Sequence, residues 1–317
     1  MITIIGGNGF IGKHLARALM RCGRKVAIID NFASSDWDNN FTNKVDLFVE
    51  ADVTDLTQFV NLIIPVLKKS SEVYYLASIA SPKLYYKKRL ETMEANTTGL
   101  KNVLTRAKVN NFKVLYTSTS EIYGDPEQHP QSENYFGNVN PFALRSVYDE
   151  SKRYGETLCR AFQEEGVDVR IARIFNTYGP GMNLDDGRVV VEFVKKVLMK
   201  ENIPLHSPGT QTRSFTYVDD LVSGLILLMD SNVNTPVNLG NPSTEITMIG
   251  LANLIVSLFW GCESIVEVID QPYDHDPQKR RPDITKAQEL LNWMPVVGLK
   301  QGIQKLATYI KEAQLIL

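Results

Sequence analysis

The sequence predicts an α/β protein: a doubly wound parallel sheet followed by a smaller C-terminal α/β lobe. Three observations carry that prediction. Short β-branched runs alternate with helical patterns through the first half of the chain. Several of those runs are apolar without alternation, as strands covered on both faces are. The first run, Ile2–Ile5, leads directly into the glycine-spaced turn Gly6-Gly7-Asn8-Gly9-Phe10-Ile11-Gly12.

Taken in order, Ile2–Ile5, Val26–Ile29, Leu47–Val49, Val73–Leu76, Val114–Tyr116 and Arg170–Ala172 read as strands. Helical stretches lie between or after them at Lys13–Met20, Leu56–Lys68, Leu90–Lys108 and Tyr148–Glu164. Strand-helix-strand repetition implies right-handed crossovers. After about Phe175 the texture changes, with Gly179-Pro180-Gly181, Ser207-Pro208-Gly209 and Gly240-Asn241-Pro242 punctuating shorter elements. Asp219–Met229 reads as a helix with acids in its first turn, and a last helix begins near Leu299.

Composition narrows the function classes. The chain has 317 residues, 34 Lys+Arg against 36 Asp+Glu, and a net charge of −2. That balance argues against nucleic acid or an anionic membrane as partner. With 44% apolar residues the chain can bury a large core. Cys22, Cys159 and Cys262 show neither a disulfide framework nor metal spacing, which points to a reducing, cytoplasmic setting and no metal centre. The N-terminal run is too short for a signal peptide. The uncharged run Ile246–Cys262 is too short to span a bilayer and reads as a buried helix. Asp274-His275-Asp276 reads as a solvated loop.

The glycine-spaced turn has a chemical reading. A phosphate at a helix N-terminus needs backbone N–H groups with no Cβ in the way. Gly9 permits that approach, and Gly12 lets the helix sit close to the strand. Gly6 opens the turn. Asp30 closes the second strand 18 residues after Gly12. A carboxylate there accepts ribose hydroxyls and repels a 2′-phosphate, which favours NAD over NADP. Asp52-Val53 suits the adenine edge and, equally, a cap for the helix beginning at Leu56, and the two readings are compatible. The expected organisation is a Rossmann NAD-binding domain over 1–175, with 214–238 returning to it. Residues 176–213 and 239–317 form a substrate-binding lobe over the C-terminal ends of the strands, with the active site between.

Tyr148 and Lys152 stand four residues apart, on one face of a helix. An ammonium beside a phenol favours the phenolate. Such a pair can take a proton from an alcohol while hydride leaves the same carbon. It follows the fifth strand and the hydroxyl-rich Thr117-Ser118-Thr119-Ser120.

With Gly6–Gly12, Tyr148 and Lys152 the chain resembles the extended short-chain dehydrogenase/reductase family, and within it the UDP-glucuronic acid decarboxylases. The matching stretches include Thr117–Pro126, Gly137-Asn138-Val139-Asn140-Pro141, Ala172–Thr177, Asp186–Val190, Gln211–Phe215, Val237–Pro242 and Asp276–Asp283. The resemblance implies C4 oxidation of a UDP-sugar by NAD, loss of CO2 from the resulting β-keto acid, and re-reduction at C4. It implies Tyr148 as base, Lys152 as its support, Thr119 on the reacting hydroxyl, and Ser120 with Glu121 around decarboxylation. Sister dehydratases carry Asp where Ser120 stands. It further implies cofactor contacts from Phe10, Ile11, Asn31, Leu76 and Ala77 besides those above. Tyr85, Asn176, Arg188, Arg213 and Arg280 are implied substrate contacts. A homodimer is also implied, pairing Leu90–Lys108 and Tyr148–Glu164, although Leu100, Val103, Leu104, Leu158 and Phe162 suit an intramolecular core equally.

The chain departs from the decarboxylases at Ile79, where they carry proline, and at Lys88-Arg89, which replace Asn-Pro. Gly181 stands where they have Arg. Ala33-Ser34-Ser35-Asp36 replaces a loop with a basic residue. A C4 epimerase, a C4 dehydrogenase or a 4,6-dehydratase would share the oxidation motifs. A non-catalytic NAD-binding sensor or scaffold is a more distant reading.

Overall fold

The computed structural model describes residues 1–185, 187–206, 208–259, 264–269 and 277–314. Asp186, Cys262 and the Asp274-His275-Asp276 run lie outside the described residues. In chain order the strands are β1 (Ile2–Ile5), β2 (Val26–Asp30), β3 (Leu47–Glu50), β4 (Glu72–Tyr75), β5 (Lys113–Thr119), β6 (Val169–Ile174), β7 (Thr177–Tyr178), β8 (Ile203–His206), β9 (Thr212–Arg213), β10 (Thr216–Tyr217), β11 (Val237–Leu239), β12 (Ile246–Thr247), β13 (Val266–Ile269) and β14 (Lys279–Arg280). The α-helices are α1 (Phe10–Arg21), α2 (Asn39–Thr42), α3 (Leu56–Gln58), α4 (Ile64–Leu67), α5 (Pro82–Tyr85), α6 (Arg89–Glu94), α7 (Leu100–Asn110), α8 (Ser146–Glu164), α9 (Val189–Leu198), α10 (Val218–Asp230), α11 (Met248–Leu258), α12 (Thr285–Leu291) and α13 (Leu299–Gln314).

The chain divides into two compact units. The first comprises Met1–Ile122, Val139–Arg173 and Val222–Val237. Its seven-stranded sheet has the order β11-β6-β5-β4-β1-β2-β3, the doubly wound arrangement expected. β1 pairs in parallel with β2 and β4, with Ile4 beside both Ile28 and Tyr74. β1 and β2 are buried throughout, which is why their sequences are apolar on both faces. Edge strand β3 is half-exposed and carries Glu50. Ile5, Ile29, Val73, Tyr75, Val114 and Ile171 form one core with Leu100, Val103 and Leu104 of α7. Leu158 and Phe162 of α8 pack against it. Those helix faces are therefore intramolecular core.

Two helical stretches read as single helices from sequence contain π-helical turns, at Phe59–Ile63 and Ala95–Gly99. At the second, Gly99 lies so close to Val53 and the Tyr75 hydroxyl that an added Cβ would fall 2.5 and 2.6 Å from them. The extra residue in the turn accommodates this approach.

The second unit comprises Tyr123–Asn138, Ile174–Leu221 and Asn238–Leu317. It holds three small sheets, ordered β10-β7, β12-β9-β14 and β13-β8. Helices α9, α11 and α13 pack on one another. The helix read within Ile246–Cys262 is α11, with Leu251, Ala252 and Ile255 buried. Among the described residues, no helix is long and apolar enough to cross a membrane.

Candidate active site

The turn after β1 separates its three glycines by what surrounds each. Gly6 has φ +79°, and a Cβ there would lie 2.6 Å from the Ala77 amide nitrogen and 2.7 Å from the Leu76 carbonyl carbon. A Cβ on Gly12 would lie 2.6 Å from the Gly7 Cα. These two are glycine because protein backbone occupies the space. Gly9 is different: it caps α1 at φ −69°, and its nearest Cβ contact would be 3.4 Å away. Its bare side faces no crowding from the protein, as an approach for a phosphate requires. Phe10 and Ile11 begin α1, earlier than the Lys13 start expected from periodicity.

Asp30 ends β2, buried, and accepts from the Asn8 amide at 2.8 Å and the Phe32 amide at 2.9 Å. Burial raises its pKa, and those two amides oppose the rise. The acid therefore ties the second strand to the glycine turn and presents its remaining lone pairs beside it. The following loop folds back onto the same turn. Asn8 Nδ2 donates to Ser35 Oγ at 3.0 Å and to the Asp36 carbonyl at 2.8 Å. Lys88 Nζ donates to the Ala33 carbonyl at 3.0 Å. The departures at 33–36 and at Lys88 thus meet. Asn31 Nδ2 donates to Asp52 Oδ2, and Thr54 donates to Asp52 Oδ1 through both its amide and its hydroxyl. Burial pushes the Asp52 pKa up, but these donors hold it below the usual carboxylate value. The cap before Leu56 is Asp55, which accepts from the Gln58 amide; of the two readings of Asp52, the helix cap is incorrect. Val53 is buried beside Gly99. A glycine turn open at Gly9, with an acid at the next strand end, fits a dinucleotide.

The second cluster lies at the end of β5 and the start of α8. Lys152 is fully buried and donates to the Thr117 carbonyl at 2.8 Å. Its ammonium sits 5.0 Å from the Tyr116 ring centroid and 5.8 Å from that of Tyr148. Burial lowers the Lys152 pKa to about 7, against the opposing influence of Cys159 and Glu156. Tyr148 stacks on Tyr85, with centroids 5.4 Å apart and planes at 12°. Ile79 completes this small apolar seat, so the departure there touches both tyrosines. Burial also raises the Tyr85 pKa. Thr119 and Ser120 are buried, and Thr119 Oγ1 accepts from the Glu121 amide at 3.2 Å. The six expected residues Tyr85, Thr119, Ser120, Glu121, Tyr148 and Lys152 thus share one neighbourhood of the first unit.

Sequence reasoning missed two charged networks here. Arg145, three residues before Tyr148, pairs with Glu121 and donates from Nε to Asp149 Oδ2 at 3.0 Å. Its spacing to Asp149 is the helical i, i+4 interval, which was a readable signal. Glu156, one turn after Lys152, binds Arg173 and Ser118.

In the second unit, Arg213 and Arg280 are register partners on the parallel strands β9 and β14. Both are buried. Arg213 Nη1 donates to the Thr212 and Pro277 carbonyls, each at 2.8 Å, and Arg280 Nη2 to the Gly124 carbonyl at 3.3 Å. Asn176 offers its carbonyl to the Thr216 amide, while its buried Oδ1 has no hydrogen-bond partner among the described residues. Arg188 is the N-cap residue of α9. Gly181 has φ +85° and is exposed.

Residues 2–240 match the model of the NAD dependent epimerase/dehydratase family. The chain is 44% identical over 312 residues to UDP-glucuronic acid decarboxylase 1 of Xenopus tropicalis, covering 98% of this chain and 72% of that protein. It is 44% identical over 307 residues to UDP-glucuronic acid decarboxylase 5 of Arabidopsis thaliana, covering 95% and 86%. Among solved structures it is similar to the UDP-glucose 4-epimerase of Thermotoga maritima, solved with UDP-glucose. The TM-score is 0.88 at 25% identity, covering 99% of each chain.

Proposed function

The chain belongs to the NAD dependent epimerase/dehydratase family, and from that premise we propose that it is an NAD-dependent decarboxylase converting UDP-glucuronate to UDP-xylose. The observation that carries this reading is Glu121. It follows Ser120 just after β5, in the neighbourhood of Tyr148 and Lys152, and is ion-paired with Arg145. The 44% identity to named decarboxylases supports it.

Gly9, Asp30, Asn31, Asp52, Val53 and the Leu76-Ala77 turn would hold the dinucleotide, with Phe10 and Ile11 at the helix start. Bound NAD⁺ supplies the hydride acceptor for C4 oxidation and, once reduced, the donor for the return step. Tyr148 takes the proton from the C4 hydroxyl, and Lys152 stabilises the phenolate electrostatically. Thr119 hydrogen-bonds the same oxygen. The C4 ketone makes the C6 acid a β-keto acid. Its C5–C6 bond breaks to release CO2, and the electron pair moves into the ketone as an enolate, which is reprotonated at C5. Glu121 and Ser120 act at this stage. Tyr148 returns its proton to the C4 oxygen when hydride comes back, so the cycle is redox-neutral. Asn176, Arg188, Arg213 and Arg280 bind the UDP portion, and Tyr85 lines the sugar site beside Tyr148.

The residues assigned to the dinucleotide, to proton transfer and, with Tyr85, to the sugar belong to the first unit, and those assigned to the UDP portion belong to the second. We assign a homodimeric state on the exposed apolar residues Leu90, Met93 and Tyr154 of α6 and α8, which pack on each other. A cytoplasmic setting accords with the free thiols Cys22 and Cys159. Mixing the protein with UDP-glucuronate and catalytic NAD, and following products by NMR, tests the assignment. UDP-xylose with release of CO2 is expected. A C4 epimer, or net NADH with no pentose nucleotide, would reject it in favour of an epimerase or a dehydrogenase.

A further inference from the structure

Tyr148, Lys152 and Glu156 recur at intervals of four along α8, so they lie along one face of that helix. The first two have roles above. Glu156 has none, yet it is the most heavily tied carboxylate of the group. Arg173, at the end of β6, grips it with both ends of its fork: Nε lies 3.0 Å from Oε1 and 3.3 Å from Oε2, and Nη2 lies 2.8 Å from Oε2. Ser118 Oγ donates to Oε1 at 2.5 Å. The Glu156 and Arg173 side chains are 13% and 10% exposed, a burial that demands such pairing.

The partners define what this carboxylate does. Ser118 precedes Thr119 on β5, and Thr117 is the residue whose carbonyl accepts from Lys152 Nζ. The Thr117 hydroxyl in turn donates to the Tyr75 carbonyl of β4 at 3.0 Å. The helix therefore grips the end of β5 at consecutive residues, through Lys152 at Thr117 and through Glu156 at Ser118. A slip of one residue would move Thr119 to the opposite face of the sheet, away from Tyr148. The Lys152 ammonium lies against the rings of Tyr116 of β5 and Tyr148 of its own helix, with Glu156 one turn and Cys159 two turns further along that helix, both favouring the charged lysine. Among these, Glu156 is the carboxylate.

We propose that Glu156 is a positioning residue of the oxidation site: anchored by Arg173 and Ser118, it fixes α8 against the end of β5 and keeps Lys152 in its ammonium form. The inference rests on the reading of Tyr148 and Lys152 as the proton-transfer pair. It does not depend on which sugar is bound or on decarboxylation.

The test is a 13C-lysine NMR titration of the whole chain, following the Lys152 Cε resonance assigned with Lys152→Met. The wild-type midpoint is expected at about 7. Glu156→Gln keeps the shape but removes the charge, and should weaken proton affinity at Lys152 by about tenfold. An unchanged midpoint overturns the electrostatic role. If Glu156→Gln leaves Arg173 too poorly compensated to fold, the double variant Glu156→Gln/Arg173→Gln is titrated against Arg173→Gln, so that the difference in the Lys152 midpoint belongs to Glu156 alone. Ser118→Ala tests the anchor, because it spares both charges. It should lower kcat several-fold at constant KM and leave the Lys152 midpoint in place. An unchanged kcat overturns the anchoring role. The titration needs neither NAD nor substrate, so its outcome is separate from that of the product assay.

Discussion

Arg213 and Arg280 face each other across the β9–β14 ladder as register partners, both buried. In parallel strands, register partners project from the same face with backbones about 4.8 Å apart. Like charges so placed repel, and more strongly out of water. In the proposed function a bound diphosphate would relieve that repulsion. Arg213→Met or Arg280→Met should therefore weaken UDP binding by roughly 10- to 100-fold, the range of a lost charge-assisted hydrogen bond. Calorimetric titration with UDP alone reads this directly. Wild-type affinity in both variants would remove the pair from the nucleotide site.

Arg145 carries the complementary prediction for the carboxylate end of the chemistry. It pairs with both Glu121 and Asp149. Arg145→Met removes that cation from a partly buried carboxylate, which favours the protonated form of Glu121. Pentose formation should fall by about 10- to 100-fold, more steeply at lower pH. In the proposed mechanism C4 oxidation uses Tyr148 and Lys152, so NADH absorbance on adding UDP-glucuronate should persist. Arg145→Lys should recover part of the loss. Equal loss of both signals would mean that Arg145 serves the fold and not Glu121.

The glycines of the first turn separate folding from cofactor binding. A methyl on Gly12 meets the backbone of Gly6 and Gly7, which cannot yield as a flexible side chain can. Gly12→Ala should cost about 1–3 kcal/mol of stability. Gly9 has φ −69° and no atom closer than 3.4 Å to an added Cβ. Gly9→Ala should melt like the wild type, yet bind NAD at least about tenfold more weakly. Thermal melts with and without NAD distinguish the two variants. Tight NAD binding by Gly9→Ala would place the pyrophosphate elsewhere.

These cases also mark what sequence alone discloses. The glycine turn, Asp30 and the Tyr148–Lys152 pair are local patterns set by strand-turn-helix geometry, so they were legible. Arg145 with Glu121 and Glu156 with Arg173 join residues 24 and 17 apart in sequence. Read singly, each is a charged residue on a helix, loop or strand end, and apart from the i, i+4 spacing of Arg145 to Asp149 no periodicity distinguishes it from a solvated one. The β9–β14 ladder is two residues long on each side, too short for an alternation signal. The π-turn at Ala95–Gly99 hides because one added residue barely shifts the apolar period of the helix around it. Asp52 and Asp55 both precede Leu56, and only the fold shows that Asp55 makes the cap.

Lys152 ties function to stability with a sign that can be worked out. Its folded pKa, about 7, lies below the ordinary 10.5 because burial penalises the ammonium. Between those values the unfolded chain binds more protons than the folded one, so stability rises with pH across that window. At and below about pH 7 the full penalty is felt. Lys152→Met removes the charge and the penalty together. The wild type should therefore gain stability relative to Lys152→Met as pH rises from about 7 toward 10.5, while the variant loses nearly all C4 oxidation. Paired denaturant titrations across this range read the difference, in which titration of the other groups largely cancels. A difference independent of pH would mean that Lys152 is solvated or paired enough to keep its ordinary pKa. A buried, easily neutralised lysine would then be no part of how Tyr148 is tuned.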